Sequence, residues 1–110
     1  MEVNPRQVDV YVETGDYAPF DDWMGRLRDR KGKIAIERRV ARLESGLIGD
    51  FDDVGEGVIE LIVDVGPGYR VYCADDGESV LLLCAGPKKT QQADIKRAKR
   101  FWQAYKDEGS

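Results

Sequence analysis

The chain contains no histidine. That absence removes the commonest general base, the Ser-His-Asp triad and every zinc site that needs an imidazole. Cysteine is scarce: Cys73 and Cys84 are the only two, too few for the disulfide framework of a small secreted scaffold. No apolar run approaches the roughly 20 residues of a membrane helix; the longest covers only residues 79–85. The opening, MEVNPRQVDVYVE, has no basic leader and no apolar core. It does not read as a signal peptide, and a cytoplasmic location is the expectation.

What the chain has in quantity is charge. Of 110 residues, 35% are charged and 42% apolar, which suits one domain over 1–110 with a modest core and a dense ionic surface. The net charge of −4 argues at first sight against a nucleic-acid binder. The signs are segregated, however. Counted from the sequence, residues 1–25 sum to −5, 26–42 to +6, 43–87 to −9 and 88–106 to +6. Fields act locally, within a Debye length of roughly 8 Å at physiological salt, so a basic helix can meet phosphates despite an acidic total. A solvated helix face explains the same pattern without a ligand.

The periodicities predict a β-α-α-β-β-β-α order. Val8, Val10 and Val12 alternate with polar residues, as in a half-buried strand. Pro19 opens a helix over 20–30, with Phe20, Trp23, Met24 and Leu27 on one stripe. Gly32 separates it from a second helix over 33–45, carrying Ile36, Val40 and Leu43 inward and Arg38, Arg39 and Arg42 largely outward, with Gly46 as its stop. Two helices so closely joined suggest an αα-hairpin. Residues 47–57 are rich in Gly and Asp and read as a loop. Strands are expected over 58–65, 69–74 and 80–85, punctuated by Gly66-Pro67-Gly68 and Asp75-Asp76-Gly77. A last helix, 90–106, has Thr90 as a candidate N-cap. The class is α+β, with an antiparallel sheet packed by helices.

Arg70 is the lone base in the long acidic stretch and lies in mid-strand, sharing a face with Tyr72. Facing a cleft, its guanidinium can clamp a phosphate, with Tyr72 beside it to stack on a base or relay a proton. The structural alternative is a pair with Glu60 across the hairpin; a turn centred on Pro67 would set Arg70 near Asp64 and Tyr72 near Ile62. Lys88 and Lys89 stand at the mouth of the last helix, against its dipole, where a phosphate would explain them; loop lysines for solubility would too. Asp50, Asp52, Asp53 and Glu56 do not fit a calcium loop, since Leu61 stands where its bidentate Glu belongs. On a plain hairpin the two cysteines are about four residue-steps, roughly 13 Å, apart. That is beyond disulfide reach and leaves them as core residues.

From Phe20 to Ala98 the chain resembles the RelE/ParE superfamily of bacterial toxin–antitoxin toxins, and within it the HigB-like addiction-module-killer branch. The residues that carry the resemblance are FDDWMGRL (20–27), IERRVARLESG (36–46), GDFDDVGEGVIEL (49–61), GPGYRVYC (66–73) and LLLCAGPKKTQQADIKRAK (81–99). It departs from the pattern at Pro87, where relatives carry an acid, and at Asp75-Asp76, where they often carry bases. The resemblance implies a RelE-like fold and a growth-arresting toxin neutralised by a helix-turn-helix, HigA-like antitoxin. It implies a ribosome-dependent mRNA endonuclease working without metal or cofactor, in which the RNA 2′-hydroxyl attacks the adjacent phosphate. Arg70 would then stabilise the transition state, Lys88 would be the basic residue after the last strand, and Tyr72 would contact a base or assist proton transfer. Arg38, Arg39, Arg42, Lys89, Lys96 and Arg100 would hold RNA. The same superfamily contains gyrase inhibitors of the ParE kind, which are not enzymes, and a decayed toxin that only binds its antitoxin is a third possibility.

Overall fold

The computed structural model describes residues 5–109. Met1–Asn4, part of the opening discussed above, and Ser110 lie outside the described residues. The elements are β1 (Gln7–Val10), α1 (Pro19–Arg26), α2 (Arg30–Glu44), β2 (Phe51–Gly55), β3 (Val58–Val63), β4 (Tyr69–Asp75), β5 (Ser79–Pro87) and α3 (Gln91–Glu108). A single 3-10 turn, Lys88–Thr90, leads into α3. The α+β class holds. Among the described residues no helix is long and apolar enough to cross a membrane.

The five strands form one sheet in the order β1-β5-β4-β3-β2. Strands β2 to β5 make an antiparallel meander, but β1 runs parallel to β5, so the sheet is mixed rather than purely antiparallel. α1 packs on β5 and α2 crosses β1, β3 and β4. The two helices therefore lean on the sheet more than on each other, contrary to a simple αα-hairpin. Phe20, Met24, Ile36 and Leu43 pack there with Val71, Cys73 and Leu82. α3 covers the other face, with Ala98, Phe101 and Trp102 against Val58, Tyr72 and Leu83. Because both faces are covered, Tyr11, in the alternation opposite Val8, Val10 and Val12, is buried in the α3 layer rather than facing solvent. Val12 lies past the end of β1 and is exposed.

Strand β2 was expected to be loop. Asp and Gly are poor strand formers, and Phe51, Asp52 and Asp53 are all exposed. Pairing with β3 makes the strand, through Phe51 with Leu61, Asp52 with Glu60 and Asp53 with Ile59. The two-residue turn Glu56-Gly57 has positive φ at both positions (56° and 84°), which matches the twist of a tight hairpin. Acids on this outer strand also discourage pairing with further chains.

The boundary between α1 and α2 also moves. Asp29 caps α2 by accepting the Gly32 amide at 3.1 Å, so α2 starts at Arg30 and Gly32 lies in its first turn. A Cβ on Gly32 would stand 2.5 Å from the Tyr69 ring; glycine is there for close approach, not to break the helix. Gly46, at φ 87°, does end α2, its amide donating to Leu43 O. Thr90 makes no side-chain N-cap; its hydroxyl donates to Asp94 at 2.6 Å instead.

Two registers differ from expectation. The β3–β4 pairing centres on Gly66, so Tyr72 lies opposite Glu60 and Arg70 opposite Ile62. In β4–β5 the register shifts between Tyr72 and Cys73, which face Cys84 and Leu82. The hairpin register sets Cys73 two positions from Cys84 along the ladder rather than four, and the bulge moves Cys84 one step nearer, opposite Tyr72. The thiols stay apart because Cys73 faces the α1/α2 layer and Cys84 the α3 layer. Both are free and buried.

Candidate functional site

The site forms where the β3–β4 turn meets the entry to α3. Gly68 is its hub. The Lys88 amide donates to Gly68 O at 2.9 Å, which folds the end of β5 back on the turn. A Cβ on Gly68 would lie 3.5 Å from Lys88 Cβ and 3.8 Å from Arg70 Nη1. Arg70 and Lys88, eighteen positions apart in the sequence, therefore converge on one glycine. Its φ of 80° is a conformation that glycine adopts freely.

Arg70 is buried in β4, and its Nη1 donates to its neighbour's carbonyl, Tyr69 O, at 3.0 Å. Two carboxylates approach it without hydrogen bonding: Glu60 Oε1 is 3.7 Å from Nε and Asp64 Oδ1 is 3.7 Å from Nη1. Arg70 Nε is buried without a hydrogen-bond partner. Glu60 is 1% exposed and accepts from Gln91 Nε2 at 2.8 Å. It thus joins β3, β4 and the first residue of α3. Both pairings weighed from the sequence, Arg70 with Glu60 and with Asp64, are present together. The unpartnered Nε is itself buried and faces Glu60, so Nη1, on the side of Gly68 and Asp64, is the nitrogen turned toward the turn.

Tyr72 is fully buried in the α3 layer, so its ring offers no face to a base, and stacking on RNA is ruled out in this structure. Its hydroxyl makes no hydrogen bond. Burial first, and then the negative charge of Glu60, push its pKa well above the usual phenol value. Tyr72 does not release a proton readily.

The cations follow two layers. Lys88, Lys89, Lys96 and Arg100 are exposed on the 3-10 turn and α3. Beside the last two, Arg97 is held by Asp94 at 3.5 Å and Lys99 by Glu56 at 3.2 Å. Arg38, Arg39 and Arg42 stand on α2, which covers the opposite face of the sheet, and the structure does not bring them into the Arg70–Lys88 cluster. Arg39, read as outward-facing, is buried, and its Nη2 donates to Asp50 O at 2.7 Å. Burial, and next the neighbouring Arg42, lower its pKa.

Sequence reasoning missed Gln91, which fixes Glu60, and Asp94, buried between Thr90 and Arg97. A lone acid inside VIELIV was the available signal for Glu60. Nothing local marks Gln91, since its role depends on where α3 docks.

No family model matches the chain, and no solved structure matches it. A Haemophilus influenzae protein described as uncharacterized is 46% identical to it over 81 residues, which span 73% of this chain and 82% of that protein. The chain belongs to one family with this Haemophilus influenzae protein.

Proposed function

We propose that the protein is a RelE/ParE-like toxin of the HigB-like branch, with a RelE-like fold. In this reading it is a metal-free, ribosome-dependent mRNA endonuclease held in check by a helix-turn-helix antitoxin. The observation that carries the reading is the convergence of Arg70 and Lys88 at Gly68. A guanidinium and a lysine side chain starting from one backbone cusp suit a phosphate on which negative charge builds as the RNA 2′-oxygen bonds to phosphorus, its proton passing to solvent, and the 5′-oxygen leaves. An arginine side chain is a donor with no acceptor atom, so Arg70 supplies electrostatic stabilisation rather than proton abstraction. Lys88, Lys89, Lys96 and Arg100 track the RNA backbone from the cusp along α3. Glu60 and Gln91 position Arg70, and Tyr72 packs behind them.

One observation favours a second reading, a non-enzymatic gyrase inhibitor of the ParE kind: Arg70 is flanked by two carboxylates, which oppose a polyanion. The test is induction without antitoxin, followed by incubation of purified protein with mRNA, with and without ribosomes. Growth arrest with ribosome-dependent cleavage, relieved by Arg70→Ala or Lys88→Ala, is expected. Arrest with intact mRNA and blocked gyrase supercoiling would replace the endonuclease reading with the second one.

A further inference from the structure

A cleft of about 400 Å³ lies between α2 and the connection leading into β2, lined by Arg38, Arg39, Arg42, Asp50 and Ile62 among others. Arg39 is 6% exposed and spends one nitrogen on Asp50 O, while its Nη1 is buried with no partner. Gly49 lies over the guanidinium: a Cβ there would stand 2.9 Å from Arg39 Cζ. At the rim, Arg38 and Arg42 are one helical turn apart, a like-charge spacing that costs an isolated helix stability. Among the described residues neither has an ion pair. Among the described residues, three guanidinium groups thus share one cleft with a single carbonyl, Asp50 O, as their hydrogen-bonded partner.

The second observation is apolar. Leu47 and Ile48, in the same connection, and Phe51, the first residue of β2, are 45%, 40% and 44% exposed, Ile48 lining a neighbouring cleft with Gly46 and Ile59. Arginine beside exposed aliphatic and aromatic side chains is the composition of a protein-binding surface. A polyanion fits less well, because Asp50, Asp52 and Asp53 adjoin the cleft and repel a run of phosphates. A peptide can present acids only where the arginines are.

We propose that this cleft docks an acidic, apolar-flanked segment of a partner protein, its carboxylates seated on Arg38 and Arg42 and its apolar side chains on Leu47, Ile48 and Phe51. The charge complementarity is local, and Arg39 beneath supplies a fixed positive base. The inference does not depend on RNA cleavage and stands or falls separately from the function proposed above.

The test is a titration of isotope-labelled full chain with a short synthetic peptide alternating Glu and Leu, followed by NMR. Its Gln-for-Glu counterpart and a short oligouridine are the comparison probes. The Glu peptide is expected to move the amide signals of residues 47–51 and the Arg38 and Arg42 side-chain signals. The Gln peptide, and the Glu peptide on the double variant Arg38→Gln, Arg42→Gln, should each bind roughly tenfold more weakly. Both changes are at exposed positions, so the remaining amide spectrum verifies the fold. Equal binding of the two peptides, no movement with the Glu peptide, or stronger movement of the same signals by oligouridine would each overturn the proposal.

Discussion

Glu60 and Arg70 sit diagonally across the β3–β4 ladder, both buried, with Oε1 and Nε 3.7 Å apart. The acid holds Gln91 with its other oxygen. Removing one member of a buried pair leaves the other uncompensated. Glu60→Gln is expected to cost about 3 kcal/mol, read as a lower urea midpoint. Asp64 also lies 3.7 Å from Arg70, but its side chain is 80% exposed, and Asp64→Asn should cost less than about 1 kcal/mol. Equal losses would mean that burial does not set the value of this pair.

The same pair bears on activity. Arg70→Lys keeps a positive charge and loses the planar fork. If Arg70 stabilises the transition state, ribosome-dependent cleavage should fall by about a hundredfold, measured under single-turnover conditions. Lys89→Ala, at an exposed position outside the Gly68 cusp, should weaken RNA binding and change the cleavage step little.

Two glycines make a paired test of packing. Gly32→Ala drives a methyl into the Tyr69 ring and should destabilise the chain by about 2 kcal/mol. At Gly25, near the end of α1, a Cβ meets nothing within 4 Å, and Gly25→Ala should stabilise by about 0.5 kcal/mol. Thermal or chemical unfolding of both variants checks the opposite signs.

Acid sensitivity should concentrate at the β4–β5 turn and the α2 cap. Asp76 is held down to about 2 by the Ser79 amide first and the Tyr105 hydroxyl next. Asp29 is lowered by the Tyr69 hydroxyl and the Gly32 amide. A carboxylate with a depressed folded pKa adds stability that is present above its unfolded value, near 4, and is lost as pH falls through the folded one. With no histidine in the chain, no imidazole adds a step near neutrality. Stability should therefore decline mainly between about pH 4 and 2, and Asp76→Asn should flatten that limb in acid-unfolding curves.

The thiols should behave oppositely. Burial pushes Cys73 and Cys84 up to about 12, so neither is a reactive thiolate in the folded chain. A raised folded pKa adds stability that is present below the unfolded value and lost as pH rises toward the folded one. A thiol reagent at mildly alkaline pH should label neither cysteine until denaturant is added. Fast native labelling of either would contradict the packing described for β4 and β5.

Amphipathic stripes were legible residue by residue: Phe20 and Met24, Ile36 and Leu43, and Ala98 and Trp102 all face the core as their spacing implies. The α+β class followed from the same periods, because a helix of period 3.6 and a strand of period 2 bury different residues. Local chemistry also marked the end of α2 at Gly46 and the turn at Asp76-Gly77. The solitary positions of Arg70 and Glu60 in otherwise apolar strands marked the place where charge would be buried.

Other features depended on partners distant in the chain. Strand β2 exists because β3 offers it a ladder, and its own Asp and Gly residues would not form it. Asp29 caps α2 while accepting the Tyr69 hydroxyl at 2.6 Å, forty positions away. The β4–β5 register brought the cysteines close along the ladder, and the bulge beside Tyr72 put the sheet between them. Docking α2 and α3 on opposite faces split the two basic segments, so equal charge in the sequence became an α3 track leading from Gly68 and a separate arginine cleft. Spacing along a chain decides which side chains share an element's face; which elements meet is decided by packing, and only packing brought Arg70, Lys88 and Glu60 to one place.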